Sequence, residues 1–267
     1  METYIVDSFT ETAFKGNPAG VCVLKSSISD ELMLNIAQEL GLSETAFILP
    51  IENSSTLSIR YFSPVMEIPL CGHATLASAK VIFEKTKTNH IDFCNTQNIN
   101  ISVKSIDQRI LMKFPVYKTT PSEAPKSLLD ALGINRTKEV VFNEETNILM
   151  LEIESTSLLA SLSPNYESLK KSHNSINGVL VTAKSKDEFD FHSRYFWPWS
   201  GTNEDPVTGG THTFLAKYWS EKLGKTKMKS FQSSPRSGSM EVEIVKDTLY
   251  IKGSAVVVFK GELIANI

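Results

Sequence analysis

Three residues of this chain have the chemistry to move protons: Glu44, His73 and Asp205. Glu44 has Leu42, Ala46 and Phe47 as close sequence neighbours, which are expected to desolvate it. A desolvated carboxyl has a raised pKa and can carry protons both ways. His73 follows Gly72 at the start of an expected helix, a setting in which an imidazole can face a ligand. Asp205 heads an Asp-Pro step. Each residue also has a plain structural reading. Glu44 could be a solvated acid at a strand end, His73 a core histidine donating to backbone, and Asp205 a turn or helix-entry acid.

What singles the three out is an internal repeat that they break. Arg60-Tyr61-Phe62 with Pro64 leads into Gly72-His73-Ala74-Thr75-Leu76-Ala77-Ser78-Ala79-Lys80, and Arg194-Tyr195-Phe196 with Pro198 leads into Gly209-Gly210-Thr211-His212-Thr213-Phe214-Leu215-Ala216-Lys217. From Arg60 to Arg194 the offset is 134 residues and from Gly72 to Gly209 it is 137, about half of the 267. That period is far too long for a solenoid repeat. A duplicated half predicts two similar lobes. On this alignment Glu44 falls opposite Gly178, His73 opposite Gly210 and Asp205 opposite Ile68. Polar groups that break an internal symmetry are candidates for chemistry, because packing alone would not demand them.

The repeated glycines open helices, where free N–H groups and the positive end of the dipole meet a ligand. Gly72, Gly209 and Gly210 could thus offer backbone donors to a carboxylate or oxyanion. They could equally just permit tight turns. Cys71 could be a thiolate acid/base or a small buried apolar residue. No metal site is expected, since five scattered histidines form no His-x-x-x-His or Cys-x-x-Cys pair. A serine hydrolase is equally disfavoured, because no Gly-x-Ser-x-Gly elbow occurs.

Positioning these residues falls to mixed α and β elements. Strands are expected at 4–9 and 19–24, joined by a loop holding Gly16-Asn17-Pro18. A helix from Ser29 or Asp30 stops at Gly41, and strands follow at 45–49 and 57–62. The helices from Gly72 to Phe83 and from Thr211 to Leu223 carry apolar residues nearly all round, so each should be wrapped by strands. Further strands are expected at 99–103, 110–114, 179–181, 240–245 and 248–251, with a short helix over 127–132. The Pro-rich stretch from 116 to 126 reads as a linker, which gives lobes of 1–117 and 118–267.

Bulk composition narrows the partners. With 41% hydrophobic and 21% charged residues the chain is an ordinary globular protein. A formal charge of −3, with no basic cluster, argues against nucleic acid or an anionic membrane as the partner. The first residues lack a basic start and a long apolar run, so no signal peptide is expected, and three cysteines fit a reducing cytoplasm.

Asp7-Ser8-Phe9 with Phe14-x-Gly16-Asn17-Pro18-Ala19-Gly20-Val21, then Ser43-Glu44-Thr45-Ala46-Phe47, Arg60-Tyr61-Phe62-Ser63-Pro64, Cys71-Gly72-His73-Ala74-Thr75-Leu76-Ala77 and Glu204-Asp205-Pro206-Val207-Thr208-Gly209, form an ordered set of motifs. In these the chain resembles the phenazine-biosynthesis PhzF-like proteins, relatives in fold of diaminopimelate epimerase. The resemblance implies an α+β protein of two lobes, each a curled, barrel-like sheet around a central helix, with the site in the cleft between them. It implies a cofactor-free isomerase, often a homodimer, acting on a small, cyclic carboxylated substrate such as 2,3-dihydro-3-hydroxyanthranilate. Glu44 would move the proton, His73 and Asp205 would hold or protonate the substrate, and Asn17 would lie in a loop closing the site. Where the family often has Ser after Thr-Gly, this chain has Gly210, with the hydroxyl of Thr211 next. The related epimerases use one cysteine per lobe. Cys71 fits the first and the second has no counterpart. An epimerase using Cys71 as a base, and a non-catalytic interaction protein on the same fold, are the alternatives.

Overall fold

The computed structural model describes residues 1–264. They form two compact units, one of residues 1–113 with the segment from Tyr250 onward, the other of residues 114–249. The first unit holds β1 (Glu2–Ser8), β2 (Asn17–Val23), α1 (Asp30–Leu40), β3 (Thr45–Pro50), β4 (Leu57–Phe62) and β5 (Glu67–Ile68). It continues through α2 (Gly72–Thr86), β6 (His90–Cys94), β7 (Asn100–Ile106) and β8 (Arg109–Pro115), within which the chain passes to the second unit. There follow β9 (Thr120–Pro121), α3 (Lys126–Leu132), β10 (Glu139–Asn143), β11 (Ile148–Glu152), α4 (Thr156–Ser161) and α5 (Tyr166–Lys171). Next come β12 (Gly178–Lys184), β13 (Phe191–Phe196), a 3₁₀ turn at Pro198–Ser200, β14 (Glu204–Asp205) and α6 (His212–Leu223). The second unit ends with β15 (Lys227–Gln232), β16 (Gly238–Val245) and the start of β17 (Thr248–Gly253); β18 (Ala255–Glu262) belongs to the first unit.

Each unit repeats one order of strand pairings. In the first, β2 and β3 are parallel across α1, β4 is antiparallel to β3, β5 is antiparallel to β4, and β6 is parallel to β4 across α2. In the second, β11 and β12 are parallel across α4 and α5, β13 is antiparallel to β12, β14 to β13, and β15 is parallel to β13 across α6. An antiparallel strand follows in both, β7 on β6 and β16 on β15. The duplication read from the motifs is therefore a duplication of topology.

The sequence-derived lobe boundary at 117/118 differs from these units in one physical respect. β18 runs antiparallel along the whole of β1, from Glu2 opposite Glu262 to Ser8 opposite Ala255, and so joins the first unit. The expected linker also contributes structure, since Thr120 and Pro121 pair with Phe142 and Val141.

Local chemistry sets the elements that carry the site. Ser29 caps α1 by accepting the Leu32 N–H, and Gly41 ends it in the left-handed region at φ 62°. Its buried face of Met33, Ile36 and Ala37 packs with Cys22, Leu24, Phe47 and Phe62. Residues alternate along a strand, so Val21 points away from Cys22, toward α2, which packs on β1, β2, β3 and β18. Accordingly nine residues of α2 are buried, as its all-round apolar pattern predicts. In the second unit α6 packs on β15 and β16, and its Trp219 stacks on Phe191 at 5.6 Å. Among the described residues no helix is long and apolar enough to cross a membrane.

Candidate active site

Glu44 stands just before β3, where its carbonyl accepts the Gly20 N–H at 3.0 Å. Cys71 is the N-cap of α2, and Gly72 and His73 are its first two residues. Several bonds hold this helix start. Ser8 donates to the His73 carbonyl at 2.8 Å, and the Thr75 hydroxyl donates to the Cys71 carbonyl at 2.7 Å. The Tyr61 hydroxyl lies 2.6 Å from that of Thr75.

These constraints bring a carboxyl, an imidazole and a thiol together. His73 Nε2 lies 3.1 Å from Glu44 Oε2, and His73 Nδ1 lies 3.3 Å from Cys71 Sγ. The residues are 7%, 7% and 8% exposed for Glu44, His73 and Cys71. The ring thus bridges acid and thiol. Glu44 Oε2 is buried, with the imidazole of His73 as its charged neighbour.

The burial expected of Glu44 is present, but its consequence is reversed. Burial alone would raise its pKa; the His73 bond and charge, with a smaller contribution from Ser43, outweigh it and hold Glu44 below the usual carboxylate range. His73 responds in the opposite sense. Burial opposes its charge, yet Cys71 and Glu44 on its two nitrogens raise it well above the ordinary histidine value. Both shifts favour a carboxylate beside an imidazolium. Burial pushes the Cys71 thiol up despite the neighbouring His73.

Asn17 needs a correction. It is the first residue of β2, fully buried and opposite Ser8, rather than part of a closing loop. The turn is made by Gly16 at φ 67°, so the β1/β2 ladder extends one step beyond it.

In the second unit Asp205 lies opposite Tyr195, the register that Ile68 holds opposite Tyr61. The Thr208 hydroxyl donates to the Asp205 carboxylate, and Gln232 ties the segment by donating to the Asp205 carbonyl at 2.6 Å and accepting the Thr208 N–H at 2.9 Å. Gly210 is exposed and has open space where a side chain would project. Thr211 is buried and its hydroxyl donates to the Thr208 carbonyl at 3.1 Å. Gly209 is buried at the same turn, whereas Gly72 is half-buried in α2. Gly178 occupies the position equivalent to Glu44, and a Cβ there would stand 2.6 Å from the Tyr195 ring.

Sequence spacing did not reveal the Glu44–His73–Cys71 cluster, because the acid is 27 residues before Cys71 in the chain. It also missed a salt-bridge fork in each repeat. Arg60 clasps Glu67 at 2.8 and 2.7 Å, and Arg194 clasps Glu204 at 2.7 and 2.8 Å. The signal was available, since Glu67 and Glu204 share the offset of the second repeated block. A cavity of about 690 Å³ in the first unit, lined in part by Lys25, Lys85 and Lys260, includes none of the cluster residues.

The curled mixed sheets wound round α2 and α6 define an α+β protein of the diaminopimelate epimerase-like fold. A predicted epimerase of Pseudomonas aeruginosa has this fold at TM-score 0.72 and 18% identity, over 98% of this chain and 99% of that one. Residues 6–261 match the family described as phenazine biosynthesis-like protein, and the chain belongs to that family. It is 39% identical to phenazine biosynthesis-like domain-containing protein 2 of Mus musculus, over 98% of both chains. It is equally 39% identical to a protein of Halalkalibacterium halodurans named an uncharacterised isomerase, over 98% of this chain and 97% of that one. Among solved structures, a phenazine biosynthesis PhzC/PhzF protein of Clostridium difficile aligns at TM-score 0.90 and 40% identity, covering 98% and 99% of the two chains. One of the PhzF family from Enterococcus faecalis aligns at 0.91 and 34%, covering 98% of each.

Proposed function

We propose that the protein is a cofactor-independent isomerase that moves a proton within a small, carboxylated and cyclic substrate of the dihydro-hydroxyanthranilate kind. The observation that carries this reading is the buried Glu44–His73 pair, built where the repeat has Gly178 and Gly210. Relatives named as an isomerase and a predicted epimerase support the reaction class. Glu44 enters as a carboxylate and takes a proton from one carbon of the substrate. It then returns that proton to another carbon, so the reaction has no net redox change. His73 holds the ionised acid in place and stabilises charge while the proton is in transit. Asp205 is proposed to bind or protonate the substrate's polar groups, because only its half of the repeat has an acid at that register.

The test is deuterium incorporation from D₂O into 2,3-dihydro-3-hydroxyanthranilate and ring-carboxylate analogues. Exchange is expected in the wild type and should fall about 10²–10⁴-fold in Glu44→Gln, the usual contribution of a positioned acid/base. Undiminished exchange in that variant removes Glu44 from the mechanism. A second reading, with Cys71 as the base of an epimerase, is motivated by its 3.3 Å approach to His73. It requires Cys71→Ala to abolish exchange, and full activity there ends it.

A further inference from the structure

Tyr61 and Tyr195 are counterparts in the two repeats, and their hydroxyls are used differently. Tyr61 is fully buried, and its hydroxyl lies 2.6 Å from that of Thr75, which in turn donates to the Cys71 carbonyl. At the offset of the second repeated block, the counterpart of Thr75 is His212. Both nitrogens of His212 are engaged, Nδ1 at 2.9 Å from the Thr208 carbonyl and Nε2 at 2.7 Å from the Ser230 hydroxyl. The Tyr195 hydroxyl is left with no hydrogen bond among the described residues, although the residue is only 5% exposed. Buried phenols normally find a partner, so a lone one calls for an explanation.

Its surroundings supply one. At Gly178, the counterpart of Glu44, a Cβ would stand 2.6 Å from both the ring and the hydroxyl of Tyr195. The phenol thus fills the space that a side chain at the acid's counterpart would take. Tyr195 also lies directly opposite Asp205 across β13 and β14, and opposed residues of an antiparallel pair project on the same face. The Trp197 ring stacks on Tyr195 at 6.0 Å and steadies it. Burial, and then the Asp205 charge, push the phenol up, so it stays protonated and able to donate at neutral pH.

We propose that Tyr195 is a substrate-contacting residue, whose hydroxyl donates a hydrogen bond to the carboxylate of the ring that Asp205 binds. A phenol donor beside a carboxylate acceptor suits a ring bearing a carboxylate next to an amino or hydroxyl group. The partner that the hydroxyl lacks in the protein is then supplied by the ligand. The place of Asp205 at the substrate rests on the isomerase reading, whereas the Tyr195 contact is measured without turnover.

The full-length protein, labelled with carbon-13 on its tyrosine rings, is titrated with anthranilate and followed by NMR. The signal missing from Tyr195→Phe belongs to Tyr195, and it should shift saturably; a signal that anthranilate leaves unmoved rejects the contact. Tyr195→Phe keeps the ring against Gly178 and Trp197 and removes only the hydroxyl. Its kcat/KM for deuterium exchange should fall about tenfold to a hundredfold, the usual effect of losing a hydrogen bond to a charged group. Its urea midpoint should equal that of the wild type, because the lost hydroxyl has no protein partner. Undiminished exchange, or a lowered midpoint that marks the hydroxyl as structural, would overturn the proposal. A saturable Tyr195 shift in a protein that exchanges no ring carboxylate would sink the isomerase reading and leave the contact standing.

Discussion

In the first unit the Arg60–Glu67 fork is 19% and 30% exposed, and its third arm reaches the surface carboxylate of Asp30 at 2.7 Å. In the second unit the Arg194–Glu204 fork is 7% and 9% exposed, and its third arm donates to the carbonyls of Leu159 and Leu162 at 3.2 and 2.7 Å. The same two residue types at the same register do different work. Arg60 is a half-solvated clasp, whereas Arg194 is a buried junction between β13, β14 and the α4 segment. The contrast continues at the helix starts. The first unit places a charged acid–histidine pair beside α2, while the second has Gly178, Thr208 and Gly210 and lets the Tyr195 ring fill the space of an acid. Duplication has preserved the frame, and the chemistry lies where the copies diverge.

The fork comparison should show the largest difference in stability. Glu204→Gln removes one partner of a buried, hydrogen-bonded ion pair and is expected to cost about 3–5 kcal/mol. Glu67→Gln at the more exposed fork should cost about 1 kcal/mol or less. Urea unfolding of the two variants measures both, and equal losses would show that the two forks are energetically alike.

The acid position gives an intermediate effect. Gly178→Glu copies the first unit's acid into the second, where its Cβ meets Tyr195 at 2.6 Å. Overpacking of about 1–3 kcal/mol is expected, with partial recovery in Gly178→Glu/Tyr195→Ala and no second proton-exchange site. A Gly178→Glu protein as stable as wild type would mean that the space is not committed to the ring.

The smallest effects come from the two buried histidines. His73 is raised well above the usual value, while burial lowers His212 to about 4. His212 is held neutral by accepting from Ser230 at Nε2 (2.7 Å), its Nδ1 lying 2.9 Å from the Thr208 carbonyl. In NMR titration at neutral pH, one buried ring should therefore be charged and the other neutral. The linkage signs differ accordingly. His73 contributes stability that is complete below about 6.5 and lost as pH rises through its elevated folded value. Glu44 contributes stability that is present above the ordinary carboxylate range and lost as pH falls through its depressed value. His212 costs stability as pH falls from about 6.5 toward 4, where it must charge. Thermal melts of wild type against His73→Gln should converge as pH rises; a gap that widens instead would break the assignment of the ion pair.

Much of this was legible in the sequence. The repeat of Arg-Tyr-Phe and the glycine-opened helix predicted duplicated topology, and counting back from Gly209 found Asp205 at the register of Ile68. Gly41, Gly133 and Gly224 each ended the helix expected of them. Three features were hidden because they depend on long-range pairing. Asn17 became a strand residue only through Ser8, β18 joined the first unit only through β1, and the pKa of Glu44 was reversed only by the approach of His73. Local sequence could report that Glu44 would be desolvated. It could not report which charge would meet it.

The pairing of β1 with β18 has a consequence for how the protein is made. The second unit is one continuous stretch of chain, so all of its strands have been synthesised before β18 exists. The unit that carries Glu44, His73 and Cys71 must wait, because β1, at the opposite end of the chain, has an edge that only β18 covers. Domains fold as they emerge from the ribosome, and late, long-range strand pairing is slow. The half translated first is thus the half completed last, and a nascent chain that stops short of Ala255 would carry Glu44, His73 and Cys71 on an unfinished sheet.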